Sequence, residues 1–221
     1  MKTLYGALSL FLVLSVFAPQ VANAQQMAEA AIDRGIEFFD QGDPERAIEE
    51  YTEAIRLEPN NSWAYYFRGW SYGSTDRFDL AIADFDQVIR LEPNFSAAYY
   101  YRGLIHFNKG LNTDNKKSEY DLAIADFDQA LRLNPNDSET YSTRGTLYSI
   151  MGEYDLAIAD ADQAIRLEPN DAESYNIRGL AYRDKGDLDV AIADFEAALR
   201  IDPNLDYVRN NLDHARQQRG R

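Results

Sequence analysis

The chain has no cysteine among its 221 residues. Disulfides, thiolate metal ligands, thiol nucleophiles and a lipid-modified N-terminal cysteine are therefore excluded. Histidine is nearly absent, with only His106 and His214. There is no glycine-rich phosphate loop and no recognisable Ser-His-Asp spacing. With so little reactive chemistry the sequence reads as non-enzymatic, with no cofactor and no metal. Asp-x-Asp recurs in AIADFDQ, but Asp84 and Asp86 stand two apart on a helix and point apart, unlike ligands of a calcium loop. Basic residues are also scarce: 22 against 37 acidic, a net charge of −15. Phosphate binding needs a basic surface, so nucleic acid is not an expected partner. The acidity itself is read as solubility.

Long apolar runs are absent except at the start, where Lys2 precedes an apolar stretch from Leu4 to Ala18, followed by Pro19 and Ala22-Asn23-Ala24. The run is shorter than the roughly 20 residues of a membrane-spanning helix and ends in a small-x-small cleavage pattern. Residues 1–24 are therefore expected to be a signal peptide cut after Ala24, leaving a periplasmic or secreted chain with no membrane span. Disulfide-free export fits a bacterial envelope at least as well as a eukaryotic route. At 45% hydrophobic and 13% aromatic residues, the remainder can build a sizeable core.

What organises that remainder is a repeat. Pro59, Pro93, Pro135, Pro169 and Pro203, each followed by asparagine, stand 34, 42, 34 and 34 residues apart. Upstream of each proline a stripe recurs in steps of four and three: Ala47, Tyr51, Ala54; Ala81, Phe85, Val88; Ala123, Phe127, Ala130; Ala157, Ala161, Ala164; Ala191, Phe195, Ala198. These steps mark one face of a helix that the proline ends. Earlier in each unit Arg-Gly recurs at Arg34, Arg68, Arg102, Arg144 and Arg178, with residues four before and three after the glycine on the same face. A mid-helix glycine costs about 1 kcal/mol, so its repetition implies close helix contact. His106 takes the place of the unit's tyrosine and is expected to be a packed, neutral histidine.

A helix-turn-helix unit of this length, with this glycine, helix-B alanines, an aromatic and a terminal proline, resembles the tetratricopeptide repeat family. The resemblance covers about residues 28 to 205. It implies an all-α, right-handed superhelical solenoid of five hairpins, at 28–61, 62–95, 96–137 with an eight-residue insertion, 138–171 and 172–205. Residues 206–221 would supply a capping helix to about residue 216 and a frayed tail from Gln217. The departures are arginine before the glycine, Ala161 where an aromatic is usual, and the insertion after Lys109.

In proteins of this kind the concave groove holds the ligand. Groove positions fall on the second, fifth, ninth and twelfth residues of each unit. In the second repeat these are Trp63, Tyr66, Trp70 and Gly73, with Phe67 at the edge; in the third, Ala97, Tyr100, Leu104 and Phe107, with Tyr101 at the edge. The fourth repeat has Glu139, Ser142, Thr146 and Ser149 instead. Two readings of the rings stand: an internal packing stripe, or an aromatic trough for the apolar anchors of a peptide or helix. A two-carboxylate clamp would need lysine and asparagine at these positions, so no preference for acidic C-termini is carried over. The five arginines are expected to pair with Glu50, Asp84, Asp126, Asp160 and Asp194 inside their own hairpins. The insertion gathers Lys109, Lys116 and Lys117 into a loop, either a tolerated extension or a contact beside the trough.

The functional reading is a scaffold that binds a protein or peptide, with scaffolding or envelope assembly as its role. The alternative is a self-associating structural protein whose groove is filled by its own N-terminus or another copy.

Overall fold

A computed structural model describes residues 23–220, and all regular structure among them is helical. The apolar run of the expected signal peptide lies outside the described residues, and no described helix is long and apolar enough to cross a membrane. Among the described residues eleven helices follow in order: α1 at 23–40, α2 Pro44–Leu57, α3 Ser62–Gly73, α4 Phe78–Leu91, α5 Ser96–Leu111, α6 Lys116–Leu133, α7 Ser138–Met151, α8 Tyr154–Leu167, α9 Ala172–Lys185, α10 Leu188–Ile201 and α11 Asp206–Arg219. They form two compact units, one ending at Ile105 and one beginning at His106.

Local chemistry sets the ends of several helices. Asp43, Asn61, Asp137 and Asp171 cap α2, α3, α7 and α9, each accepting a hydrogen bond from a backbone N–H of the first turn. Gly152 and Gly186 end α7 and α9 in the left-handed region, with φ of 81° and 99°. In the second hairpin Asp76 takes positive φ at 58°, a conformation that aspartate tolerates better than most side chains.

Within each unit the recurring stripes form the core. In the first unit Ala28, Ala31, Ala47, Tyr51, Ala54 and Ala64 make one cluster, and Tyr66, Ala81, Phe85, Val88, Ala98 and Ile105 another. In the second, Ala191, Phe195 and Ala198 of α10 meet Val208, Leu212 and Ala215 of α11. The closing helix continues to Arg219, three residues past the expected end of its ordered part, and Arg219 there donates to Asp189 at 3.0 Å.

The insertion is not a long loop. Only residues 112–115 lie between α5 and α6, while Lys109 sits inside α5 and Lys116 and Lys117 open α6. Eight residues amount to about one additional turn on each of two helices, so the repeat face is preserved. Gly110 and Tyr120, seven residues beyond Gly103 and seven before Phe127, renew the glycine-to-ring contact one step outward.

Candidate protein-interaction site

Residues 63, 66, 67 and 70 fall on one face of α3 by helical spacing. The structure divides them by depth. Trp63 is 50% exposed and Trp70 40%, whereas Tyr66 and Tyr100 are at 8% and 7%. Trp63 stacks on Phe67 at 5.9 Å and meets Phe95 edge-on at 5.3 Å. Trp70 lies 4.6 Å from Tyr101 and 6.4 Å from Phe39. Tyr66 packs edge-to-face on Phe85 at 5.9 Å. Depth thus separates the set. Tyr66 and Tyr100 are core, Phe67, Tyr101 and Leu104 are half-buried, and the two tryptophans stand above them facing solvent. Phe107 belongs to the second unit, where it is buried against Tyr120 at 5.9 Å.

A cleft of 190 Å³ opens beside Trp70, lined by Ile36, Phe39, Asp40, Tyr51, Phe67 and Trp70. Sequence reasoning found only Phe67 and Trp70 of this set as site residues. Yet the groove register carried one repeat back falls on residues 29, 32, 36 and 39, which include Ile36 and Phe39. In the second unit the corresponding cleft of 460 Å³ is polar, with Ser138, Glu139, Ser142, Thr146 and Glu173 among its walls.

Four of the repeated arginines, Arg34, Arg68, Arg144 and Arg178, are ion-paired inside their hairpins as expected, and the series also reaches further. Arg68 makes two bonds to Asp84, both 2.8 Å; Arg144 pairs likewise with Asp160, and Arg178 with Asp194. Arg34 pairs with Glu50 at 2.6 Å. Each of the later arginines spends its remaining nitrogen on the preceding hairpin: Arg68 on Thr52, Arg102 on Asp86, Arg144 on Asp128 and Arg178 on Asp162. At the C-terminal end Arg216 of α11 supplies the bond to Glu196 at 2.9 Å. The Asp-x-Asp step is therefore a coupling device, one carboxylate serving its own hairpin and the other the next. Burial pushes the Asp84 and Asp160 carboxyls above their ordinary value, against the pull of the arginine hydrogen bonds.

His106 is buried but not merely packed. Its Nδ1 lies 2.7 Å from Glu119, which also takes Lys109 at 3.1 Å. Burial alone would raise the Glu119 carboxyl, but its bonds to His106 and Lys109 outweigh this and hold it below the usual range. Lys109 is thus engaged within its own hairpin; Lys116 and Lys117 are exposed, the latter 3.2 Å from Asp121. Among the described residues no cluster of three or more histidines and carboxylates is placed to hold a metal.

Comparison with known proteins places these features. The family model described as tetratricopeptide repeat matches residues 68–138 and 142–206, and a second, described as TPR repeat, matches 35–76. No curated protein matches the sequence. Among solved structures, MamA is 28% identical, covering 80% of this chain and 93% of its own, with a TM-score of 0.69. YrrB, described as a TPR protein with an unusual peptide-binding site, is 21% identical over 91% of this chain and 97% of its own, at 0.68. A thermophilic TPR protein of Thermus thermophilus is 21% identical over 85% of this chain and 98% of its own, at 0.66. With matched models spanning more than half its length and hairpins built on the glycine-aromatic contact, the chain belongs to the tetratricopeptide repeat family.

Proposed function

We propose that this chain is an interaction scaffold holding a polypeptide against the tryptophan-bearing face of its first unit. The observation that carries the reading is the depth profile of that face, where two half-exposed indoles rest on a bed of packed rings. Leaving indoles in water forgoes about 25 cal/mol for every Å² that burial would remove. Nothing in the repeat demands such exposure, since the second unit builds the same hairpins around a polar cleft. Tryptophan is also prominent among residues that dominate interface energetics. The fold carries a peptide-binding site in YrrB, and the family consists in general of non-catalytic scaffolds, both of which support the reading.

Crosslinking of the native chain in its own extract is expected to yield a discrete adduct that the Trp63→Ala, Trp70→Ala double variant loses while its helical circular dichroism is kept. Binding should also shift tryptophan fluorescence, since these are the chain's two tryptophans. An adduct that survives the double substitution sinks this site.

We extend the proposal to place. The apolar run and the Ala22-Asn23-Ala24 pattern support action outside the cytoplasm, in envelope assembly. Intact mass of the chain recovered from the envelope fraction is expected to begin at Gln25. Recovery only from the cytosol, with Met1 retained, would refute export.

A further inference from the structure

The cleft beside Trp70 is small. Its 190 Å³ falls below the roughly 300–1,000 Å³ of small-molecule sites and is scaled to one long side chain. Of its six lining residues four are aromatic, one is aliphatic and one, Asp40, is an exposed carboxylate; none is basic. The walls are braced, with Phe39 edge-on to Trp70 at 6.4 Å and Tyr51 stacked on Phe67 at 5.8 Å. A site so fixed needs little ordering when it is filled.

These walls discriminate among anchors. A purely apolar side chain would bury the rings but strip water from Asp40 and return nothing to it. A carboxylate would be repelled by Asp40. An apolar stem ending in a cation suits both features: its methylenes lie against the rings while its charge meets the carboxylate and the π-systems, and lysine and arginine are the side chains built this way. Asp40 acts on the interior as well as the rim, for the Tyr51 phenol is pushed up to about 12, by burial first and by the Asp40 charge second. The chain's net charge of −15 would draw a basic segment toward it.

We infer that the cleft formed by Ile36, Phe39, Asp40, Tyr51, Phe67 and Trp70 is a socket for a lysine or arginine side chain of the partner polypeptide. The inference rests on the polypeptide-binding reading above and names the chemistry of the anchor.

Its test uses three synthetic heptapeptides identical except for a central lysine, norleucine or glutamate flanked by leucines, titrated into the full chain and followed by tryptophan fluorescence. The lysine peptide is expected to bind roughly tenfold more tightly than the norleucine one, and the glutamate peptide most weakly. Asp40→Asn should bring lysine and norleucine to within about twofold, since it removes the charge but keeps the shape. Norleucine binding as tightly as lysine to the native chain, or a lysine preference that persists in Asp40→Asn, overturns the inference. If norleucine matches lysine and Trp70→Ala weakens both, the socket is wrong while the interaction face stands. Failure of all three peptides at millimolar concentration also overturns the socket, and the crosslinking comparison then decides the wider reading separately.

Discussion

Replacing Arg144 by glutamate is expected to destabilise the folded chain by about 3–5 kcal/mol, read as a lowered urea midpoint. The Arg144 guanidinium is bonded to Asp160 at 2.7 and 2.8 Å and also to Asp128, and Asp160 is buried. Reversing the charge leaves Asp160 without its cation and adds a third carboxylate beside two others. The two aspartates should not count equally. Asp128 is half-exposed, so Asp128→Ala is expected to cost no more than about 1 kcal/mol, whereas Asp160→Ala removes the buried carboxylate and both of its bonds, leaves the partly buried guanidinium with Asp128 alone, and costs about 3 kcal/mol. Equal losses from the two alanine variants would show that the inter-hairpin arm matters as much as the intra-hairpin one and that depth does not rank them.

Phe195→Ala is expected to cost about 3–5 kcal/mol, because Phe195 is fully buried between α9 and α10 and the space cannot close without shifting either helix. The more informative partner is Gly179. A Cβ built there lies 2.8 Å from the Phe195 ring, closer than van der Waals contact allows. Gly179→Ala gains about 1 kcal/mol of helix propensity but overpacks the contact at about 1–3 kcal/mol, so alone it should destabilise. In the Phe195→Ala background the ring is gone and the same substitution should become stabilising by about 1 kcal/mol. Thermal unfolding of the four proteins of this cycle measures the change of sign. Gly179→Ala that stabilises the native chain outright would mean that helix contact is not what keeps glycine here.

Much of this architecture was legible from the sequence because period and stripe are properties of the chain itself. Ala191, Phe195 and Ala198 announce a buried face by spacing alone, and Arg178 with Asp194 announces a pair by recurring in step. What spacing cannot show is depth. Tyr66 and Trp63 both occupy groove positions, yet one is core and the other half in water; Phe95 meets both, at 5.5 and 5.3 Å, while Phe85 packs on Tyr66 from elsewhere in the unit. The second arm of each arginine was missed for a related reason. Two aspartates two residues apart on a helix were dismissed as pointing apart, and that divergence is what lets Asp160 serve Arg144 while Asp162 serves Arg178. The LNTDNKK stretch misled by its polarity. Four of its residues, 112–115, form the short connection between α5 and α6, and Tyr120, which packs on Gly110, lies just beyond it. Of the cleft, Phe39 and Ile36 lay on a register already in hand but not followed back into the first hairpin.

The arginine couplings carry no information about how many hairpins there are. Arg144 and Arg178 each find one carboxylate sixteen residues ahead and another sixteen behind. Excision of a 34-residue block such as 138–171 would leave Arg178 sixteen residues after Asp128, the separation it now has from Asp162. Duplication of such a block preserves the spacing in the same way. Gene lengthening or shortening by unequal recombination therefore meets no electrostatic mismatch at the new junction, and Arg216 closes the series on whichever hairpin comes last. The array is free to drift in length while the faces that differ between hairpins diverge.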